Sequence, residues 1–423
     1  MKKTLILTLG VCAFTLQAAD ISPTDWPQWR GMNRDGKIAT DQPWPSSLGE
    51  GALKKRWSLD LGPSYSGPIV LGDRVFTTET IDKKAERVTA FNRNSGEKLW
   101  SAEWEGAMKV PFFAARNGSW VRATPATDGK SLFVAGIRDV LVSLDVTTGQ
   151  ENWRYDFTKE LKTPLPSFGT VCSPLLDDKA VYIQAGAGFC KLDKATGKLI
   201  WRTASDKGGM FGSAFSSPMR ATLAGQDLFV VQSRTALQLI DAKSGKVRAS
   251  QPIEAFRGMN ILTPTVAGDT IFTSAYGGKS HLFAVANTDG KLSITEKWKT
   301  KHQGYMASPL VIDGVVYNHL RNQRVHALDL ATGEELWDKS NRFGKYWSMV
   351  SNDRKILGLD QNGTLHLLKP SRSNYDELDS RRIAKDSWAH IAVSKGQIFV
   401  RELDKLTVYD WTSGGRPLAQ STR

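Results

Sequence analysis

Aromatic and cationic side chains recur just ahead of a series of Ser-Pro and Thr-Pro dipeptides, and they are the residues of this sequence best suited to chemistry. They are Trp120 and Arg122, Phe168, Phe211, Arg257, His302 and Tyr305, then Lys345, Tyr346 and Trp347, and finally Trp388 and His390. Rings with guanidinium, imidazole or ammonium groups beside them hold a flat anionic ligand by stacking, cation–π attraction and charge-assisted hydrogen bonds. An acidic peptide or a sugar also fits that description. The same rings would equally plug a channel and pack one sheet on the next.

Other chemistries find less support. The six His residues, at 281, 302, 319, 326, 366 and 390, show no ligand spacing, so no metal site is expected. His319, His326 and His366 fall on strand patterns, as packed or surface residues do. Cys172 precedes one strand and Cys190 opens the next but one. Their sulfurs are therefore expected about 9–10 Å apart, too far for a disulfide, and read as two small buried thiols. No Gly-rich phosphate loop or nucleophile elbow is present, and no catalytic residue is assigned.

The elements that position these residues are set by a repeat. Ala327 to Trp337 reads Ala-Leu-Asp-Leu-Ala-Thr-Gly-Glu-Glu-Leu-Trp. The same skeleton returns with Asn92, Gly96 and Trp100; with Asp145, Gly149 and Trp153; and with Asp193, Gly197 and Trp201. Asp241 and Gly245 lack the Trp, having Ala249 in its place, and Asp410 with Gly414 ends without one. Asp or Asn bonded to backbone two residues on, followed by Gly at positive φ, makes a tight hairpin. The Trp then buries a large apolar area on the strand after the turn.

Unit starts at 68, 125, 174, 218, 264, 309, 349 and 390 lie 40 to 57 residues apart. Four antiparallel strands in such a period predict an all-β, eight-bladed β-propeller over residues 53–423. The eighth unit lacks its Trp strand. Lys54–Leu61, with Trp57, is the piece that completes it and closes the ring. Trp57, Trp100, Trp153, Trp201 and Trp337, with Gly96, Gly149, Gly197, Gly245 and Gly333, are therefore structural. Residues 104–120 enlarge the first unit with a loop containing Pro111-Phe112-Phe113.

Residues 1–19 read as a secretory signal peptide, with Lys2 and Lys3 before an apolar stretch and Ala18-Ala19 after it. Leu9–Cys12 matches a lipoprotein box only loosely, because Val11 is bulky, so lipidation at Cys12 stays open. The expected location is periplasmic or secreted. No later apolar run is long enough to span a membrane. Residues 20–52, with Trp26, Trp29 and Trp44, form an ordered lead that packs on the main body. Net charge is +13, or +11 without Lys2 and Lys3. With no block of like charge, this favours an anionic ligand or an acidic envelope protein over nucleic acid. A monomer is expected.

The repeat resembles the tryptophan-docking motif of the PQQ-like β-propellers. That superfamily includes the quinoprotein alcohol dehydrogenases and an envelope lipoprotein that helps assemble outer-membrane proteins. Asp25-Trp-Pro-Gln-Trp-Arg-Gly31, with Asn33-Arg-Asp-Gly36, is similar to the opening of many exported PQQ-like repeat proteins. The resemblance implies a non-catalytic binding or scaffolding module of the bacterial envelope, without a cofactor. The alternative is a PQQ-dependent oxidoreductase that uses PQQ with calcium, since PQQ is a flat anion. The dehydrogenases resemble one another in an adjacent Cys-Cys pair, calcium ligands and an Asp base, and this sequence has no Cys-Cys.

Overall fold

A computed structural model of the protein describes residues 20–39, 42, 44–212 and 215–411, without the side chains of Arg116, Asn117 and Phe211. The signal-peptide reading, Cys12 and the terminal Ser413-Gly414 turn lie outside the described residues. Eight four-stranded antiparallel sheets form an eight-bladed propeller. Blades one to seven are consecutive in sequence. Blade eight joins Ala392–Ser394, Gln397–Arg401 and Lys405–Trp411 to the N-terminal strand Leu53–Asp60. The last pairing aligns Leu53 with Trp411 and Asp60 with Lys405, so the ring closes as the missing Trp strand predicts.

The hairpin chemistry accounts for the local structure. Asp145 Oδ1 accepts from the backbone of Thr147 and Thr148 and from the Thr148 hydroxyl, at 2.8–2.9 Å. Gly149 follows at φ +75. A Cβ there would stand 2.4 Å from Trp100, so a side chain is excluded by both backbone angle and space. Trp100 comes from the preceding blade, and its indole donates to the Val146 carbonyl at 3.2 Å. Trp153 repeats this on Gly197 with Lys194 O at 3.0 Å. Each Trp thus staples its own blade to the next.

Blade five carries a staple that the repeat signature passes over. Ser280–Thr288 and Lys291–Thr300 extend past the usual turn to Asp289-Gly290, which adopts φ +51 and +81. Trp298 therefore lies farther from its turn glycine than the motif allows. It nevertheless sits on Gly333 and donates to Leu330 O at 2.9 Å. The seams between blades are filled by apolar strand residues, such as Phe76, Val88, Leu132 and Val142 between blades one and two. Burying each such side chain stabilises by roughly 1.5–3 kcal/mol.

The Ser-Pro and Thr-Pro starts form an inner ring. The N–H of Gly67 donates to the Thr124 hydroxyl, that of Thr124 to Ser173, that of Ser173 to Ser217, and that of Ser217 to Thr263, all at 3.0–3.1 Å. Thr263 continues to Ser308 at 3.4 Å. Each hydroxyl satisfies a buried donor of the neighbouring blade, which is why Ser or Thr recurs there. No helix among the described residues is long and apolar enough to cross a membrane.

Candidate functional site

The lead crosses one end of the channel inside this ring. Trp26 bridges to Val70 in blade one, and the Ile38 N–H donates to Ser351 O in blade seven. Between them, Arg30 reaches the Pro309 carbonyl of blade six, while Arg34 reaches the Ser173 and Pro174 carbonyls of blade three at 3.0 and 2.7 Å. Burial lowers both guanidinium pKa values to about 10, well within the charged range at neutral pH. Trp29 lies beneath both, each guanidinium carbon 5.5 Å from its ring, and meets His390 edge-on at 6.1 Å.

Above this floor is a cavity of about 410 Å³. Its lower wall is the hydroxyl ring, with Thr124, Ser173, Ser217, Thr263 and Ser308. Its upper wall is a belt of rings and cations. Arg122 lies over Tyr65 at 5.4 Å, and Tyr65 meets Trp388 at 5.3 Å. Phe168 meets Phe215 at 5.8 Å, with Arg234 over Phe215 at 4.6 Å. Tyr276 meets Tyr305 at 4.7 Å. The loop that enlarges the first unit forms a short 3-10 helix, Phe112–Asn117. It swings Phe113 over the mouth, edge-on to Phe168 at 6.1 Å and within 6.0 Å of the Arg257 guanidinium. Phe113 and Phe256 stay about half exposed there.

The electrostatics of the cavity are one-sided. Arg122, Arg234, Arg257 and Lys345 line it, and among the described residues no Asp or Glu does. Burial pulls the Arg122 pKa down, and its Nε has no hydrogen-bond partner among the described residues. Burial also depresses His390 to about 3, so it is a neutral imidazole, with Nδ1 2.8 Å from the Ile391 carbonyl. The cavity offers stacking surface, hydroxyls and positive charge to an anion. It offers no carboxylate as general base and none to hold a hard cation.

Eight of the twelve residues singled out from sequence meet here: Arg122, Phe168, Arg257, Tyr305, Lys345, Tyr346, Trp388 and His390. Three do not line the cavity. Trp120 turns against Gly118. Trp347 is the first residue of a blade-seven strand, buried over Gly358 and stacked on His319. His302 lies outside the channel with His326 and Glu335. The side chain of Phe211 is outside the described residues. Phe215, which follows Phe211 in sequence ahead of the Ser217-Pro218 start, also lines the cavity, while Trp29, Tyr65, Phe113, Arg234 and Tyr276 are not foreseen there. They come from the lead, the insertion and connectors that share no periodic signal. Cys172 and Cys190 are both buried and unpaired, and burial pushes the Cys172 thiol up to about 12.

A family model described as Outer membrane protein assembly factor BamB matches residues 84–339. The chain belongs to this family. It is 22% identical to the BamB of Yersinia pestis over 350 residues, 79% of this chain and 83% of that protein. It is 26% identical over 188 residues to an uncharacterized protein of Rickettsia conorii, a match that covers 43% of this chain and 40% of that one. The crystal structure of BamB from Moraxella catarrhalis superposes with a TM-score of 0.62 at 15% identity, over 86% of this chain and 99% of that one. The BamB match takes in Arg122, Phe168, Arg257 and Tyr305. Trp29, Tyr65, Lys345, Tyr346, Trp388 and His390 lie outside it, so most of the lining falls within the matched region and one side rests on segments beyond it.

Proposed function

We propose that the protein is an exported, non-catalytic binding propeller of the bacterial envelope that grips an acidic, aromatic-bearing segment of a partner protein in its channel cavity. The observation that carries this reading is the lining itself: a belt of rings with four cations and no carboxylate. Cations beside aromatic faces favour an anion that brings its own apolar surface. Membership of a family described by an assembly factor supports a scaffolding role, and the basic balance of the chain suits an acidic partner.

The quinoprotein reading draws on the same cavity, since PQQ is flat and anionic. It needs a cation clamp as well. Hard cations such as calcium take six to eight oxygen ligands, carboxylates prominent among them. Among the described lining residues no carboxylate is available for such a clamp beside the four positive charges, which speaks against PQQ with calcium.

Titration of the mature chain with an acidic aromatic peptide, and separately with PQQ with and without calcium, tests both readings. Saturable peptide binding that is lost on Arg122→Ala and Arg257→Ala supports the proposal. Calcium-dependent PQQ binding with dye-linked alcohol oxidation would replace it. Failure of every anionic probe to bind would remove the cavity as a functional site.

A further inference from the structure

Outside the channel, three side chains converge where the connector from blade five enters blade six. His302 lies on that connector, His326 in the strand Val325–Asp329, and Glu335 opens the paired strand Glu335–Asp338. His302 Nε2 is 3.3 Å and His326 Nδ1 is 3.5 Å from the same oxygen, Glu335 Oε2. One ligand atom from each residue lies within 4.8 Å of the others.

The arrangement differs from the other histidine contacts of the molecule. His366 meets Asp360 and Glu377 through opposite ring nitrogens, as a bridged side chain does. His281 meets Glu296 alone. Among the described residues, only at Glu335 do two imidazoles converge on one carboxylate oxygen. Bonds of about 2.0–2.1 Å to a tetrahedral metal place ligand atoms about 3.3–3.4 Å apart, close to the two contacts observed.

Unpaired polar atoms lie at the same place. His326 is fully buried, yet its Nε2 has no hydrogen-bond partner among the described residues. Asp338 stands directly opposite His326 in the strand pairing. Its Oδ2 is held by Arg324 at 2.7 Å, while its Oδ1 is buried without a hydrogen-bond partner among the described residues. Buried orphan polar atoms call for an ion or a water. A metal on Nδ1 fixes the remaining proton on Nε2. A ligating imidazole in that state donates to an outer acceptor, and for Nε2 no such partner is present among the described residues.

We infer that His302, His326 and Glu335 bind one divalent cation of the zinc class, with a fourth position open to solvent. Two imidazoles and one carboxylate suit zinc and its cobalt and nickel analogues better than calcium or magnesium. His302 and Glu335 are partly exposed, at 18% and 35%, so the ion has a route in. In the sequence these ligands are spread over a connector and two strands, and no ligand spacing announces them. The ion would fasten the connector to blade six and present an exchangeable position at the surface.

The test is a titration of the mature, tag-free chain with Co²⁺ and then Zn²⁺. One Co²⁺ per chain, giving visible absorption of a low-coordinate ion that Zn²⁺ abolishes, is the expected result. His302→Ala and Glu335→Gln should each weaken binding by at least about 10- to 100-fold, while His281→Ala leaves it unchanged. Copper loaded at the same site should show coupling to two imidazole nitrogens by electron paramagnetic resonance. Absence of stoichiometric binding, or binding that survives both ligand substitutions, overturns the proposal. Glu335→Gln guards against misfolding as an explanation for His302→Ala, because it keeps the side-chain shape.

Discussion

Trp57 lies on Gly96 although one belongs to the last blade and the other to the first. Its indole donates to Arg93 O at 2.9 Å, and a Cβ on Gly96 would stand 2.9 Å from the ring. This contact and the strand pairing Leu53–Asp60 with Lys405–Trp411 are what shut the ring. Gly96→Ala should therefore destabilise by about 1–3 kcal/mol, from positive φ and overpacking together. Trp57→Ala should cost about 3 kcal/mol or more. Gly72→Ala is the control, since Gly72 also has positive φ but open space around it. Urea denaturation of the three variants measures the difference.

Binding in the cavity should depend on charge and salt. Arg122→Ala and Arg257→Ala are each expected to weaken an acidic aromatic peptide about 10-fold or more, as loss of a charge-assisted bond costs about 1.5–3 kcal/mol. Arg257 stands at the half-exposed mouth, so its share should fall further as salt is raised. Isothermal titration at two ionic strengths separates the pair. Equal salt sensitivity would refute the assignment of Arg122 to the buried wall.

Phe113 stands half-exposed at the mouth, against Phe168 and the Arg257 guanidinium. Phe113→Ala should leave the urea midpoint unchanged and speed ligand release several-fold, because affinity changes within one interface appear mostly in dissociation. Stopped-flow displacement provides the measurement. A large loss of stability would show that the insertion holds the fold together.

Glu86 is buried against blade two. Its carboxyl group accepts from Ile137 N at 2.9 Å and from Trp104 Nε1 at 3.0 Å. Burial raises its pKa from 4.5 to about 8. Between these values the folded protein keeps a proton that the unfolded chain has lost, so stability falls as pH rises across that window. Glu86→Gln should flatten the decline between about pH 5 and pH 8, read as Tm against pH. A decline of the same steepness would mean that other groups cause it.

The blades are legible in the sequence because their chemistry is local: an Asp-anchored turn, a glycine that must lack a Cβ, and a Trp at fixed spacing. Ring closure follows because the Trp57 strand has no hairpin before it and the eighth unit lacks its Trp strand. Trp298 escapes because its hairpin is longer than the motif. The Ser-Pro starts are visible as a signal, but their role, hydroxyls bonding the next blade's backbone, needs the ring assembled. The cavity is half legible. Arg122 and Trp388 stand at equivalent places before unit starts, whereas Trp29, Phe113 and Arg234 arrive from segments with no common register. Trp347 misleads because the strand of blade seven begins at the Trp itself, which turns into the seam. The convergence of His302, His326 and Glu335 depends on strand pairing and a connector, which no spacing rule encodes.

The lead passes beneath the cavity, bolted by Arg30 to blade six and by Arg34 to blade three. The propeller is thus a cup and not a tube. A guest polymer cannot be threaded through it, and only a chain end or a loop tip can dip in. Whatever enters must leave by the way it came, so occupancy is governed at a single rim. A partner held there keeps most of its length outside, free to engage something else.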